Sequence, residues 1–234
     1  MLLGSMFKSM ERPAVYYKLT LAETVSMIGG SAMIVVVISL FIGAVSTLQT
    51  AYQLVSSLVA RSVIGSVVSV TTLLELSPTV LMFIVAGRIG SKIASEIGTM
   101  RINEQIDALE VMGINASAYL IFPKILSGLL SVPVLVSLAA FLSHLGGMLA
   151  GEYTGAVTLV EFTQGVQQYY EPIQVEVMYV KAITFGFLIP AISAYQGYFT
   201  QGGSLEVGAS STRAVVYSCL AMVIADYIIA EIIL

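Results

Sequence analysis

Three long segments without a charged residue restrict what this chain can fold into more than any other feature. They cover residues 24–60, 125–151 and 182–205. Each is longer than the ~20 apolar residues with which a helix crosses the hydrocarbon core of a bilayer. Charged residues make up only 10% of the chain, whereas a soluble domain carries roughly 25%. The sequence therefore predicts an all-α protein that crosses a membrane several times.

The apolar segments divide the chain into five membrane helices within one domain over residues 1–234. We predict these helices at 28–53, 62–97, 118–148, 175–198 and 212–233. In residues 1–13 the apolar side chains fall on one helical face and most polar ones on the other. This pattern is typical of a helix lying in the membrane interface, with a frayed tail as the alternative.

The second membrane helix is too long for one perpendicular crossing. Residues 62–97 would span roughly 54 Å at about 1.5 Å per residue. We therefore expect the helix to tilt, to kink at Pro78 or to extend beyond the bilayer. Its later half carries two rows of small residues at four-residue spacing, Ala86-Gly90-Ala94-Gly98 and Gly87-Ser91-Ser95. Such rows allow close helix packing, either within one chain or across a symmetric dimer.

Basic residues are concentrated on one side of the predicted helices. Most of the ten Lys and Arg residues lie before the first helix, between residues 88 and 124, or at the start of the fifth helix. The connection 152–176 carries only acidic charges, and the capping-box spacing of Thr158 and Glu161 within it predicts a short helix. Because Lys and Arg are enriched in cytoplasmic connections, we expect the N-terminus inside and the C-terminus outside.

Three ionisable residues fall inside predicted membrane helices, where each costs at least ~2.5–3.5 kcal/mol near the bilayer centre. They are Glu75, Lys181 and Asp226. The helical rise places Glu75 and Asp226 about 20 Å, and Lys181 about 22 Å, from the cytoplasmic side. This similar depth suits either an ion cluster or a polar lining for the headgroup of an amphiphile, and the two are compatible. Independent snorkelling of each charge is the third interpretation.

A compact charged segment, residues 99–112, lies between these apolar regions. Its apolar residues recur every three to four positions, opposite a mainly acidic face, which predicts an amphipathic helix. Thr99 and Gly113 are the expected N-cap and C-cap. Because an acidic face is repelled by an anionic inner leaflet, we expect a cytoplasmic helix that docks on a basic protein partner. A connector resting on lipid headgroups is the alternative.

The sequence lacks the motifs that most enzymes carry. It contains no G-x-x-x-x-G-K-[ST] phosphate loop and no Ser/His/Asp spacing typical of a hydrolase. The single His144 and the single Cys219 lie in different predicted helices, so they form no metal-ligand cluster. We therefore expect no catalytic residue, no metal site and no cofactor bound by this chain.

Three segments of the chain carry a family resemblance, namely ELSPTVLMFIVAGRIGSKIASEIGTMRINEQIDALEVMG, YQGYFTQGG and SSTRAVVYSCLAMVIADY. They resemble the MlaE/YrbE permeases, the membrane subunits of ABC lipid transporters of the Mla and Mce systems. The resemblance runs from about Leu21 to the end and is strongest in 75–113 and 181–227.

The resemblance implies a homodimer in a bacterial inner membrane, with an ABCG/ABCA-like exporter arrangement of the interfacial helix and five membrane helices. It implies that ATP and Mg are bound by a separate cytoplasmic ABC ATPase. It further implies a periplasmic MCE-domain protein as partner, in some systems a STAS-domain protein, and no nucleic acid. The substrate that it implies is phospholipid.

The family's functional residues fall on two parts of this sequence. The coupling helix that contacts the ATPase falls on 99–112, with Arg101, Glu104, Gln105 and Asp107 as contact residues. The lipid cavity falls on three charged and four first-helix residues, namely Glu75, Lys181, Asp226, Phe41, Val45, Leu48 and Gln49.

The sequence departs from the family pattern beside Glu75. Many members have an Arg directly before this Glu, whereas this chain has Leu74. Either Lys181 therefore compensates the carboxylate, or Glu75 is partly protonated.

The function that the sequence predicts is ATP-driven movement of phospholipid between the inner membrane and a periplasmic MCE-protein shuttle, which maintains outer-membrane lipid asymmetry. One alternative is an ion- or proton-coupled secondary transporter with Glu75 and Asp226 as relay carboxylates, although inverted repeats are lacking. Others are an ABC importer of sterol-like substrates and a non-transporting assembly scaffold.

Overall fold

The computed structural model describes residues 13–54 and 60–233, and its regular elements there are all helices. They are α1 (Pro13–Gln53), α2 (Ser62–Thr71), a π-helical segment (Thr72–Val80), α3 (Leu81–Ile102), α4 (Gln105–Val111), α5 (Ala116–Thr154), α6 (Leu159–Gln168), α7 (Pro172–Tyr198) and α8 (Ser204–Ile233). The interfacial helix expected at 1–13 lies outside the described residues, apart from Pro13, where α1 begins.

Five helical stretches are long and apolar enough to cross a membrane, which confirms the prediction of a multi-pass protein with five membrane helices. They are Val15–Gln53, Ser62–Ile102, Ala116–Thr154, Pro172–Tyr198 and Ser204–Ile233. Most of them extend beyond the predicted bounds, α1 most of all. Apolar runs mark only the part of a helix that suits hydrocarbon, and a helix continues through polar residues once it leaves the bilayer.

The second stretch, Ser62–Ile102, accommodates Pro78 by a change of helical register. Pro78 has no N–H, and its ring crowds the carbonyl four residues earlier, so it does not fit a regular α-helix. The nine residues Thr72–Val80 are π-helical, and the N–H of Leu81 bonds to Leu76 O, five residues back. The helix therefore continues without a break to Ile102.

The described chain forms two compact units. The first unit consists of residues 13–31, Phe83–Pro133 and Ile183–Ile228, and the second unit of Ala32–Met82, Val134–Ala182 and residues 229–233. In the first unit, the row Ala86-Gly90-Ala94-Gly98 is buried: Gly90 packs on Ser193, and Gly98 packs on Thr200 and Val207. This row serves packing within the chain. The second row is more open, because a side chain at Gly87 would meet no atom of this chain.

In the second unit, α1 and α5 cross at glycines that let the two backbones touch. A Cβ on Gly43 would overlap Ser143 O, and a Cβ on Gly146 would overlap Leu40 O. At the same crossing, the Ser143 hydroxyl donates to Ser39 O at 3.0 Å. Small residues of this kind are the usual means by which membrane helices approach closely.

The short helix expected in the connection after the third membrane helix is present as α6. Its capping box is complete, because Thr158 Oγ1 accepts from Glu161 N and the Glu161 carboxylate accepts from Thr158 N. Hydrogen bonds from the backbone and side chain of Thr158 lower the pKa of the Glu161 carboxyl. The helix is held against α2 by Phe162, which is fully buried, and by contacts of Gly165 with Ser62 O.

The substitution Gly43→Ala tests the crossing of α1 and α5. The added methyl group overlaps Ser143 O, so the helices must separate, and we expect a loss of about 1–3 kcal/mol in unfolding free energy. Gly29→Ala on the same helix is the matched control, because its Cβ would meet no atom within 4 Å. Thermal unfolding in detergent should show a lower Tm for Gly43→Ala only. Equal Tm values for the two variants would contradict the close crossing.

Candidate functional site

The most deeply buried charge in the second unit is the ammonium of Lys181 on α7. The side chain of Lys181 has no exposed surface. Its Nζ donates to Glu75 Oε1 at 2.8 Å and to Leu74 O at 2.8 Å. An ionised group in an apolar helix bundle is costly unless it is paired and hydrogen-bonded. Lys181 therefore supplies the positive charge that the sequence lacks directly before Glu75.

The π-helical segment carries both groups that accept hydrogen bonds from Lys181. Pro78 has no N–H, so Leu74 O lacks the donor that residue 78 would supply in an α-helix. The Lys181 ammonium donates to this carbonyl. The same segment carries Glu75, so the ion pair and the carbonyl contact are formed by consecutive residues of one non-standard turn. Such π-helical segments are frequently found at functional sites.

An apolar groove of about 450 Å³ lies in the same unit, along α1. It is lined by seven residues of α1 together with one residue of α2 and one of the π-helical segment, namely Val37, Ile38, Phe41, Ile42, Val45, Ser46, Gln49, Thr71 and Leu76. The volume lies within the ~300–1,000 Å³ of small-molecule sites. Leu76, directly after Glu75 in the chain, connects the groove with the ion-paired turn.

The structure places three of the four expected first-helix residues in this groove. Phe41, Val45 and Gln49 follow each other at four-residue spacing and line it. Leu48 is 40% exposed and does not belong to the lining, because it precedes Gln49 by about 100° of helical rotation. Asp226 lies half-buried on α8 in the first unit. Of the three expected cavity charges, the second unit thus holds Glu75 and Lys181.

The charged segment 99–112 is not a single helix as predicted. Residues up to Ile102 end α3, and α4 starts only at Gln105. Glu104 between them has φ 57°, a left-handed conformation that breaks the helix. Thr99 consequently lies inside α3 rather than at an N-cap, whereas Gly113, with φ 79°, follows the end of α4 as expected for a C-terminal glycine.

One ion pair within this segment, one hydrogen bond to α7 and one buried side chain hold it in place. Arg101 Nη1 lies 2.7 Å from Asp107 Oδ1 and bridges the turn. The Tyr198 hydroxyl at the end of α7 donates to Glu110 Oε1 at 2.9 Å. Ile106 is completely buried. Glu104 and Gln105 are exposed at the turn, so among the four expected contact residues they present the most accessible side chains together with Asp107.

Sequence reasoning missed a second buried lysine, in the first unit. Lys124 of α5 is buried, and its Nζ contacts Glu23 Oε1 at 2.7 Å and Glu96 Oε2 at 2.9 Å. The sequence signal was a Lys directly before a long uncharged run, which we interpreted only as part of the basic side. Its partners lie on α1 and α3, far away in sequence, and no spacing indicated them.

The remaining polar groups show no sign of a metal centre. Within residues 13–54 and 60–233, no group of three or more His, Cys, Asp or Glu side chains is placed to hold a metal ion. His144 uses its ring nitrogens toward Ala140 O at 2.7 Å and Ser69 Oγ at 3.0 Å. This histidine therefore links α5 and α2 within the second unit.

Known proteins are similar to this chain over most of its length. A family model described as Permease MlaE matches residues 20–232. A probable ABC transporter permease protein of Rickettsia bellii is 38% identical over 223 residues, which cover 95% of this chain and 86% of that protein. One of Synechocystis sp. is 34% identical over 209 residues, covering 89% and 79%. The protein TRIGALACTOSYLDIACYLGLYCEROL 1, chloroplastic, of Arabidopsis thaliana is 32% identical over 193 residues, covering 82% and 55%.

The ion pair can be tested by removing the lysine and then the charge that it leaves behind. In Lys181→Met, the Glu75 carboxylate loses its partner. We expect the free energy of unfolding to fall by about 3 kcal/mol. This value is at the low end for buried pairs because the Glu75 side chain is 45% exposed. Adding Glu75→Gln should restore part of the stability, since an amide needs no counter-charge. A double-mutant cycle of unfolding free energies in detergent measures the coupling, and strictly additive effects would contradict the pair.

Proposed function

This chain belongs to the MlaE permease family, and from that membership we propose that it is the membrane subunit of an ATP-driven phospholipid transporter. The transporter moves lipid between a bacterial inner membrane and a periplasmic MCE-domain protein, and so maintains the lipid asymmetry of the outer membrane. The observation that carries the proposal is the apolar groove of about 450 Å³ beside the turn that carries Glu75, the ion-pair partner of Lys181.

The groove suits an acyl chain and the ion-paired turn suits a headgroup. Its lining is predominantly aliphatic and aromatic, with Ser46, Gln49 and Thr71 as the polar exceptions. Burying acyl chain against such walls is favourable because it removes apolar surface from water. The Glu75 carboxylate remains partly exposed, so a headgroup can reach the charged end without breaking the buried contacts of Lys181. A lipid substrate is also in keeping with the Arabidopsis relative, whose name contains that of a diacylglycerol lipid.

ATP binding belongs to a partner in this proposal. The sequence has no phosphate loop, so ATP and Mg²⁺ are held by a cytoplasmic ABC ATPase. Two copies of the chain, with the N-terminus inside and the C-terminus outside, form the transporter in an ABCG/ABCA-like arrangement. A STAS-domain protein joins the ATPase in some systems of this kind.

The exposed turn around Glu104 is the proposed coupling site for the ATPase. Glu104, Gln105 and Asp107 present polar side chains there, while Arg101 holds Asp107 in place. A displacement of this turn by the ATPase is transmitted to the membrane helices. The buried side chain of Ile106 and the hydrogen bond between Glu110 and Tyr198 on α7 connect the turn with them. Closing of the ATPase is thereby converted into movement of the helices that enclose the lipid.

Filling the groove tests the lipid site. In Val45→Trp, an indole occupies the space between α1 and the π-helical segment, and we expect the affinity of the groove for phospholipid to fall about tenfold, the equivalent of 1.4 kcal/mol. Met33→Trp on the same helix is the control, because Met33 is 77% exposed and does not line the groove. Mass spectrometry of the extracted lipid measures the amount of phospholipid per chain in each variant. Unchanged lipid in Val45→Trp, or ATP-independent transport by the chain alone in liposomes, would contradict the proposal.

Charge reversal at the turn tests the coupling site. Glu104→Lys places a positive charge on the surface that faces the proposed basic partner, and co-purification of the ATPase subunit should drop about tenfold. Glu231→Lys reverses an equally exposed acidic residue near the end of α8 and should leave the ATPase bound. Normal ATPase binding by Glu104→Lys would exclude this surface as the contact.

A further inference from the structure

A second pocket, of about 220 Å³, lies in the first unit between α1 and α3 and shares no residue with the groove. Its charged residues are Glu23 on α1 and Arg88, Lys92 and Glu96 on α3. The groove is almost entirely apolar, whereas this pocket has charged groups on both of its walls. Its lining therefore calls for a charged ligand group.

Small residues of α1 place the two cations at the pocket. The Arg88 guanidinium lies against Gly30, since a Cβ on that residue would come within 2.7 Å of Arg88 Nη2. One helical turn along each helix, Lys92 Nζ donates to Ser26 Oγ at 2.6 Å. Arg88 and Lys92 are thus aligned side by side on α3, and α1 supplies surfaces on which both side chains rest.

The carboxylates of the pocket already have a partner. Lys124 Nζ contacts both Glu23 and Glu96, at 2.7 and 2.9 Å. Across the described ranges, neither Arg88 nor Lys92 has a carboxylate within ion-pair distance. With Lys124, Arg88 and Lys92 positive and Glu23 and Glu96 negative, the cluster has one positive charge in excess. A monoanion balances it, and a phosphodiester carries that charge at neutral pH.

The neighbouring surface is apolar, as a lipid-binding site requires. Ile84, one turn before Arg88 on α3, is exposed, and so are Leu21 and Val25 on α1. Basic side chains next to exposed apolar ones on membrane helices are typical of the headgroup level of a bilayer. A soluble phosphate would use the two cations but would gain nothing from this apolar surface.

We propose that Arg88 and Lys92 bind the phosphodiester of an anionic membrane phospholipid in the pocket between α1 and α3, with the acyl chains on the exposed surface near Ile84. The leaflet is the cytoplasmic one if the proposed orientation is correct. This bound lipid is separate from the transported lipid, and its binding does not depend on what the groove carries. The phosphodiester contacts Arg88 and Lys92 of α3, whose side chains rest on Gly30 and Ser26 of α1, so the bound lipid holds α1 and α3 together.

Replacing both cations tests the site in the full-length protein. Arg88→Gln plus Lys92→Gln keeps a polar, though shorter, side chain at each position and removes the charge, and we expect about tenfold weaker binding of phosphatidylglycerol. The protein is placed in nanodiscs of neutral lipid with increasing phosphatidylglycerol, and native mass spectrometry counts the retained anionic lipids. Lys18→Gln, which removes an exposed cation of α1 outside the pocket, should bind as the wild type does. Equal retention by the double variant would overturn the proposal.

Further measurements separate the shape of the pocket from its charge, and a lipid from a soluble anion. Gly30→Ala leaves all charges in place but displaces the Arg88 guanidinium, so it should also weaken phosphatidylglycerol binding, while Gly29→Ala should not. Measurements repeated in the Val45→Trp background keep groove lipid out of the count, so that failure of the groove and failure of this pocket are distinguishable. Inorganic phosphate at millimolar concentration should not displace the lipid. If it does, the ligand is a soluble anion and the lipid assignment is wrong.

Discussion

The buried ammonium of Lys181 is the interaction on which the second unit depends. A charge without exposed surface among apolar helices is costly unless it is paired and hydrogen-bonded. Lys181 donates hydrogen bonds to the Glu75 carboxylate and to the main-chain carbonyl of Leu74. The carbonyl of Leu74 lacks the donor that residue 78 would supply in an α-helix, because Pro78 has no N–H. The π-helical segment carries both Leu74 and Glu75, and Leu76, the residue after Glu75, lines the groove.

The first unit also contains a buried lysine that is paired with carboxylates, but with two of them instead of one. Lys124 is almost as deeply buried as Lys181 but is paired with two carboxylates, which keep 23% and 43% of their side-chain surface exposed. In both units the cation is hidden and the anion stays in partial contact with its surroundings. Burying the lysine stem satisfies the apolar helices, while the carboxylates retain part of their solvation. The carboxylates of both ion pairs therefore stay accessible to a polar group while the lysines remain buried.

Sequence patterns predicted whatever depends on local periodicity. Uncharged runs predicted five membrane helices, and the spacing of Thr158 and Glu161 predicted the start of α6. Phe41, Val45 and Gln49 were expected from the family resemblance rather than from periodicity. Contacts between distant residues were not predictable in this way, as Lys124 and Glu23 show. The turn at Glu104 was also missed, because the apolar stripe continues through it and a left-handed non-glycine residue leaves no sequence signal.

That turn is informative because its conformation is costly. A non-glycine residue with positive φ needs about 1 kcal/mol or more, and it persists only where surrounding contacts enforce it. Here the enforcing contacts are the bridge from Arg101 to Asp107 and the buried side chain of Ile106. A flexible connector would need neither. These contacts hold an exposed corner in one conformation at the end of a long membrane helix, as the proposed coupling to an ATPase would require.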